Sequence, residues 1–174
     1  MGRYSEARGR ELTRYEATVE RVAASQVGAW LFLHVINPLD QRLLPASRGR
    51  LSVAVGAPVG LLQTTGAKTS RIRRTPMLYV RHEEEIVLVA SNGGSHHDPG
   101  WLHNVRANRD VLFLSREQGW RNYRAEIVTG PARAEPWGRA LDLYAGYAVY
   151  QQRAGEREIP VVLLRETTTS PGLD

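Results

Sequence analysis

The chain contains no cysteine, which excludes disulfides and thiolate metal clusters and leaves its compartment unmarked by redox chemistry. It is almost without lysine: Lys68 is the only one, every other base being arginine. Long hydrophobic runs are missing too. The most apolar early stretch, residues 27–36 (VGAWLFLHVI), is too short to span a bilayer and stops at Asn37-Pro38. Residues 1–25 are charged and heptad-like, without the apolar centre of a signal peptide. There is no G-x-S-x-G elbow, and without cysteine or that elbow no nucleophilic triad is legible. His96, His97 and His103 lack paired carboxylates and HExxH spacing, so they read as loop histidines and no metal is expected. If this chain is an enzyme, a bound cofactor must carry the chemistry.

What is present suits one soluble domain. The 174 residues are 42% hydrophobic and 24% charged, with one core's worth of apolar side chains. The net charge of +5 invites a nucleic-acid reading, but its distribution argues against one. Lys68, Arg71, Arg73 and Arg74 form a window free of acids, while acids and bases nearly cancel elsewhere. A compact cluster suits a small anion better than a polyanionic track, and no nucleic-acid partner is expected.

Residues 6–24 read as a polar helix, 26–36 as a shorter apolar one, and Asn37-Pro38 starts a brief helix through Leu44. From Leu51 onward short apolar runs alternate with Gly, Pro, Asn and charged turns, which predicts strands at 51–55, 59–65, 73–81, 86–90, 111–116, 120–129 and 160–165. Tight turns are expected at His82 to Glu85 and at Glu117-Gln118-Gly119. Asp98-Pro99 caps a helix to about Asn108, and Glu135-Pro136 starts one to about Ala154. The expected class is α+β, mainly β: a small barrel or curled sheet with helices at the connections. Residues 1–174 form a single domain: an N-terminal helical segment at 1–46, a barrel core at 47–166 and a disordered tail at 167–174. Strands and helices do not alternate and the dinucleotide glycine fingerprint is missing, so a doubly wound fold is disfavoured.

Three constellations could carry chemistry. In Thr64 to Arg74 (TTGAKTSRIRR), Gly66 permits a bend that side-chained residues resist, Thr64, Thr65, Thr69 and Ser70 offer hydroxyls, and Lys68 and Arg73 offer charged donors. Clustered amides, hydroxyls and cations are what a phosphate needs, although a solvated hairpin tip has a similar composition. In VLVASNGGSHHDPGWLHN, a buried strand ends in Ser91-Asn92-Gly93-Gly94, whose small residues would let a flat ligand approach the backbone. Trp101 and Asn104 share a face of the following helix: Trp101 could wall a ring or simply fill the core, and Asn104 could bond a polar edge. Third, Tyr144, Tyr147 and Tyr150 recur at intervals of three, which suits core packing or a hydroxyl that donates to a developing oxyanion.

These constellations, in this order, resemble the deazaflavin (F420)-dependent nitroreductase and F420H2-dependent quinone reductase family, split β-barrel proteins of actinobacteria. The resemblance runs through LLQTTGAKTSRIRRTPMLYV, VLVASNGGSHHDPGWLHNVRAN and the tyrosine spacing to REIPVVLLRE, roughly residues 30–166. It implies an FMN-binding-like split barrel with coenzyme F420 as cofactor, FMN being the alternative. It implies that Lys68 and Arg73 bind the cofactor's phosphate and acidic tail, with Thr65, Gly66, Thr69 and Thr75 beside them. Pro76, Ala90, Ser91, Asn92, Gly93, Trp101 and Asn104 would line the rest of the cofactor site. Ser91, Tyr144, Tyr147 and Tyr150 would form the catalytic side, shaping the acceptor pocket and supplying a hydrogen-bond donor. Four positions depart from the family pattern: Asn92 stands in place of a lysine, Thr75 of an asparagine, Ala67 of a base and Ser70 of a glycine, with Arg71 and Arg74 as substitute cations.

The expected activity is hydride transfer from reduced F420 to a quinone, nitroaromatic or similar acceptor. Alternatives are an FMN-dependent oxidoreductase and a non-catalytic protein that binds deazaflavin or lipid. A small-molecule acceptor is the expected partner, the assembly a monomer or homodimer, and the location cytoplasmic, with peripheral membrane contact through the N-terminal segment.

Overall fold

A computed structural model describes residues 44–46 and 58–167. The helices expected at 6–24 and 26–36, nearly all of the one through Leu44, the strand at 51–55 and residues 168–174 lie outside the described residues. Thr167, assigned to the tail, still donates its N–H to the Asn122 carbonyl at 2.9 Å.

Seven strands follow the sequence patterns closely: β1 (Val59–Thr65), β2 (Ile72–Leu78), β3 (Val80–His82), β4 (Glu85–Val89), β5 (Asp110–Ser115), β6 (Gly119–Val128) and β7 (Val161–Glu166). They form one antiparallel sheet in the order β2-β1-β5-β6-β7-β4-β3. The single strand expected at 73–81 is bent at Tyr79, and the bend has a topological consequence. Leu78 pairs with Val59 of β1, whereas Val80 pairs with Val87 of β4. The two edges of the sheet are therefore successive parts of one chain segment, which curls the sheet into a barrel.

Alternation along the strands fills the interior. Leu62, Ile86, Leu88, Val111, Phe113, Tyr123, Ala125, Val162 and Leu164 occupy inward positions two residues apart and share one buried cluster. Phe113 stands edge-on to both Tyr79 and Tyr123. Helix α1 (Gly100–Ala107) adds Trp101, Leu102 and Val105 to the same cluster. Outside the barrel, Val87, Val128, Val161 and Leu163 pack beneath Trp137 of α2 (Ala134–Leu143), and Leu44 packs on Val59, Leu61 and Leu114.

Strand direction decides where the connections lie. The segment after β1 (66–71), the loop after β4, helix α1 before β5, and the helices between β6 and β7 all emerge at one mouth. The β3–β4 and β5–β6 turns lie at the other. There Tyr79 Oη donates to Glu117 at 2.6 Å, and Tyr123 Oη and Arg81 Nη1 both donate to Gln118.

Two expectations about helices are corrected. The long helix to Ala154 is two, α2 and α3 (Gly146–Arg153), broken at Tyr144, which takes extended backbone (φ −146°, ψ 99°). Asp98 does not cap α1: the N-cap is Pro99, and the Asp98 carboxylate goes instead to Arg157 and Arg106.

Candidate cofactor site

The turn at 66–71 is closed by its own backbone. Gly66 N–H donates to the Arg71 carbonyl at 2.8 Å, and Ser70 N–H to the Gly66 carbonyl at 2.8 Å. The expectation that Gly66 supplies a left-handed bend is not met. Gly66 is needed for space: a Cβ there would sit 3.0 Å from Thr69 Oγ1 and 3.1 Å from the Arg71 carbonyl oxygen. The left-handed residue is Ser70, at φ 53°. Lys68, Thr69, Ser70, Arg71 and Arg73 are exposed, and Lys68, Arg71 and Arg73 have no ion-pair partner among the described residues. Arg74, offered as a substitute cation, is otherwise engaged. It donates to Gln63 at 2.9 Å and its guanidinium stands 5.5 Å from the Trp120 ring centre.

Register sorts the remaining turn residues by face. Opposite partners share a face, so Thr64, Arg73 and Thr75 lie on the side of inward Leu62, since Thr64 pairs with Arg73 and Leu62 with Thr75. Thr65 pairs with Ile72, and Pro76 with Leu61, on the opposite side. Pro76 is buried on that opposite side.

Asn104 ties this turn to α1. Its Nδ2 donates to Thr64 Oγ1 at 3.0 Å and its Oδ1 accepts the Ala67 N–H at 3.0 Å, so both ends of the amide hold protein. Trp101, one helical turn earlier, is 8% exposed and belongs to the barrel core.

The loop after β4 begins with Ala90, whose N–H bonds the Pro160 carbonyl, and Ser91, which turns helical (φ −68°, ψ −37°) and ends the strand. Asn92 (φ 50°), Gly93 (φ 64°) and Gly94 (φ 82°) then run left-handed. Asn92 Nδ2 donates to the His97 carbonyl at 3.0 Å, which closes the loop on itself. A Cβ on Gly94 would lie 2.9 Å from the Tyr150 carbonyl oxygen, so this glycine lets the loop press on α3 rather than on a ligand. His96 lies against the Ala154 carbonyl at 3.3 Å, while His97 and His103 are exposed. Among the described residues no three His, Asp or Glu side chains form a group that could hold a metal ion.

Although the helix breaks, the three tyrosines do meet. The Tyr144 ring centre lies 5.2 Å from that of Tyr147 and 6.0 Å from that of Tyr150, and the Tyr144 and Tyr150 hydroxyls are 3.4 Å apart. Burial, with a smaller contribution from Tyr150, holds the Tyr147 hydroxyl well above the usual tyrosine range, so it stays protonated.

One residue at this mouth was given no role by the sequence, although it opens the REIPVVLLRE segment. Arg157, in the segment before β7, donates to the carbonyls of Ala90, Ser91 and Ser95 and to Asp98. An arginine beside Glu156 and Glu158 reads as a solvated charge run, and only the fold reveals it as nearly buried. Through Asn104, Asp98 and Gly94, the turn, α1, the loop and α3 form one connected mouth.

Comparison with known proteins agrees with this architecture. Residues 42–166 match the family model described as F420H(2)-dependent quinone reductase. The F420H(2)-dependent quinone reductase Rv1261c of Mycobacterium tuberculosis is 35% identical over 145 residues, which cover 79% of this chain and 97% of the relative. A second protein of that organism, named for the same activity (Rv3178), is 32% identical over 108 residues, 62% of this chain and 89% of its own length. Among solved structures, an F420-H2-dependent reductase (FDR-A) is 33% identical with a TM-score of 0.57, covering 62% of this chain and 94% of its own. Another, described as a domain-swapped dimer, is 30% identical with a TM-score of 0.60, covering 74% and 95%.

Proposed function

Because the chain belongs to the F420H(2)-dependent quinone reductase family, we propose that the mouth built by 64–75, 90–104 and the tyrosine cluster is where reduced F420 meets a quinone. The protein is an oxidoreductase, its cofactor is F420, and it transfers a hydride from F420H2 to a quinone acceptor. The observation that carries the siting is the convergence of cations unpaired among the described residues, a shaped loop and three touching tyrosines at one end of a barrel whose interior is filled.

The donor set fits an acidic, phosphate-bearing cofactor. Lys68 and Arg73 would hold the phosphate, helped by the Thr69 and Ser70 hydroxyls at the tip of the closed turn. The Ala90–Gly93 backbone would border the ring. When bound, reduced F420 supplies the hydride. The chain's own part is to orient, to keep water out and to offer a hydrogen-bond donor to the acceptor oxygen that gains charge. Tyr144, Tyr147 and Tyr150 are suited to that last role as hydrogen-bond donors, because their rings meet in one cluster and the Tyr144 and Tyr150 hydroxyls are adjacent. Ser91 is a second donor beside the loop.

Stopped-flow or steady-state recovery of F420 fluorescence on adding menadione or another soluble quinone tests the reading, and a nitroaromatic run in parallel tests breadth. Saturable turnover is expected. Purification of a yellow protein with a flavin spectrum and no response to F420 would overturn it. Lys68→Ala and Arg73→Ala each remove a charged hydrogen bond of about 1.5–3 kcal/mol, so F420 affinity should fall roughly 10- to 100-fold by fluorescence quenching. An unchanged Kd for both variants would remove the turn from the site.

The reading places the protein in the cytoplasm as a monomer or homodimer. Light scattering on the eluting protein distinguishes the two. Among the described residues no helix is long and apolar enough to cross a membrane. The expected peripheral contact belongs to residues outside those described, and liposome co-sedimentation with and without residues 1–36 tests it.

A further inference from the structure

The loop that would border the cofactor ring has little of its own to hold it in shape. Its internal bonds are Gly94 N–H to the Ser91 carbonyl, Ser95 N–H to the Asn92 carbonyl, the Asn92 amide and the Ser95 hydroxyl. Three successive residues sit in left-handed backbone, which Gly93 and Gly94 adopt freely and Asn92 tolerates. Backbone with that freedom is fixed from outside, and Arg157 is placed to fix it.

Its side chain is 14% exposed, and it makes four bonds from one guanidinium. Nε donates to the Ser95 carbonyl at 2.9 Å, Nη1 to the Ala90 carbonyl at 3.2 Å and to Asp98 Oδ1 at 2.8 Å, and Nη2 to the Ser91 carbonyl at 2.8 Å. The carbonyls of Ala90 and Ser91 are consecutive, and in a strand consecutive carbonyls point opposite ways. Drawing both to one planar group requires the helical turn at Ser91 that ends β4. Asp98 neutralises the buried charge and also binds Arg106 on α1 at 2.7 Å, so the brace spans the loop from its first residue to its last. A lysine, with one nitrogen and three mobile donors, could not span these acceptors.

We propose that Arg157 is a positioning residue for F420 chemistry: it fixes the Ala90–Asp98 backbone, and with it Ser91, at the barrel mouth. The inference rests on the reading of that mouth as the F420 site. Arg157 acts through the loop and touches neither cofactor nor acceptor. The phosphate turn, held separately by Asn104, is outside its reach, so loss of the brace should affect the ring end of the site and spare the phosphate end.

The test compares Arg157→Lys, Asp98→Asn and Arg106→Gln in the full chain. Amide hydrogen exchange without cofactor reads the brace directly. In Arg157→Lys, amides of Asn92 to Asp98 should exchange at least 10-fold faster while those of β5 and β6 stay unchanged. The kcat for quinone reduction should fall 10-fold or more, with KM for F420H2 moving less than 3-fold. Asp98→Asn, which keeps the carbonyl bonds, should shift both readouts the same way by 3- to 10-fold, and it carries the test if Arg157→Lys does not fold. Arg106→Gln should change neither by more than 2-fold. Loop exchange at the wild-type rate in Arg157→Lys overturns the brace. Faster exchange with unchanged kcat makes Arg157 merely structural, and an Arg106→Gln variant as impaired as the lysine variant assigns the effect to Asp98 alone. If wild-type protein does not bind F420 in the quenching assay, the functional reading falls, and the exchange arm still decides whether Arg157 holds the loop.

Discussion

Asn104 shows how much a single amide can fix at this mouth. It satisfies the Ala67 N–H and Thr64 Oγ1 at once, and so sets the height of the basic turn over α1. The sequence places Asn104 beside Trp101 on one helix and offers its amide to a ligand. In the structure the amide also holds protein at both ends, because hydrogen-bond partners are set by distant chain and not by helical spacing. Asn104→Ala leaves an N–H and a hydroxyl without their partner, which should cost about 1–2 kcal/mol of stability in urea titration. F420 affinity should fall about 5- to 10-fold, because Lys68 is no longer held in register. An affinity at the wild-type value, with the stability loss present, would show that the turn keeps its shape without this clamp. Ser70 is the opposite case. Composition marks it only as a hydroxyl, yet its φ of 53° explains why relatives with glycine at this place would be at ease.

At the scale of elements, short apolar runs bounded by turn residues located five of the seven described strands to within a residue and joined the other two, β2 and β3, into one. The helix break was not legible. Residues 134–154 contain no proline after Pro136, and Gly146 alone is a weak interruption. The reason for the break is packing: Tyr144 folds back into the cluster with Tyr147 and Tyr150, and its ring occupies the space above Gly146. A Cβ on Gly146 would lie 2.2 Å from Tyr144 Cζ and 2.4 Å from its hydroxyl. The clash is with the outer end of a side chain that can swing away. Gly146→Ala should therefore cost no more than about 1 kcal/mol of stability, with the gain in helix propensity offsetting part of the loss. The displaced Tyr144 should raise KM for the quinone at least 3-fold while the F420 Kd stays put. Unchanged quinone kinetics would mean that Tyr144 does not shape the acceptor pocket.

At the scale of the molecule, the described residues form a barrel with two unlike ends, and the antiparallel order of its strands produces the division. The end with the basic turn, the braced loop and the tyrosine cluster is the one proposed to carry the chemistry, and the end with the short turns is sealed by buried Tyr79 and Tyr123. At the sealed end, burial and the Glu117 carboxylate raise Tyr79 well above the usual tyrosine range, and burial raises Tyr123. At the working end burial does the same to Tyr147. All three therefore keep their protons in the folded protein beyond the pH at which an unfolded chain releases them, near 10. Between those values the native state binds more protons than the unfolded state, so stability must fall as pH rises. This stabilising contribution is complete below about pH 10 and is lost progressively as pH climbs through the native values. Urea midpoints measured from pH 8 to pH 11 should be level at first and then decline. Ultraviolet titration of the folded protein should leave Tyr79, Tyr123 and Tyr147 silent until unfolding exposes them. If these three ionise in the folded state near pH 10, their hydroxyls are open to water and the stability loss above pH 10 has another source.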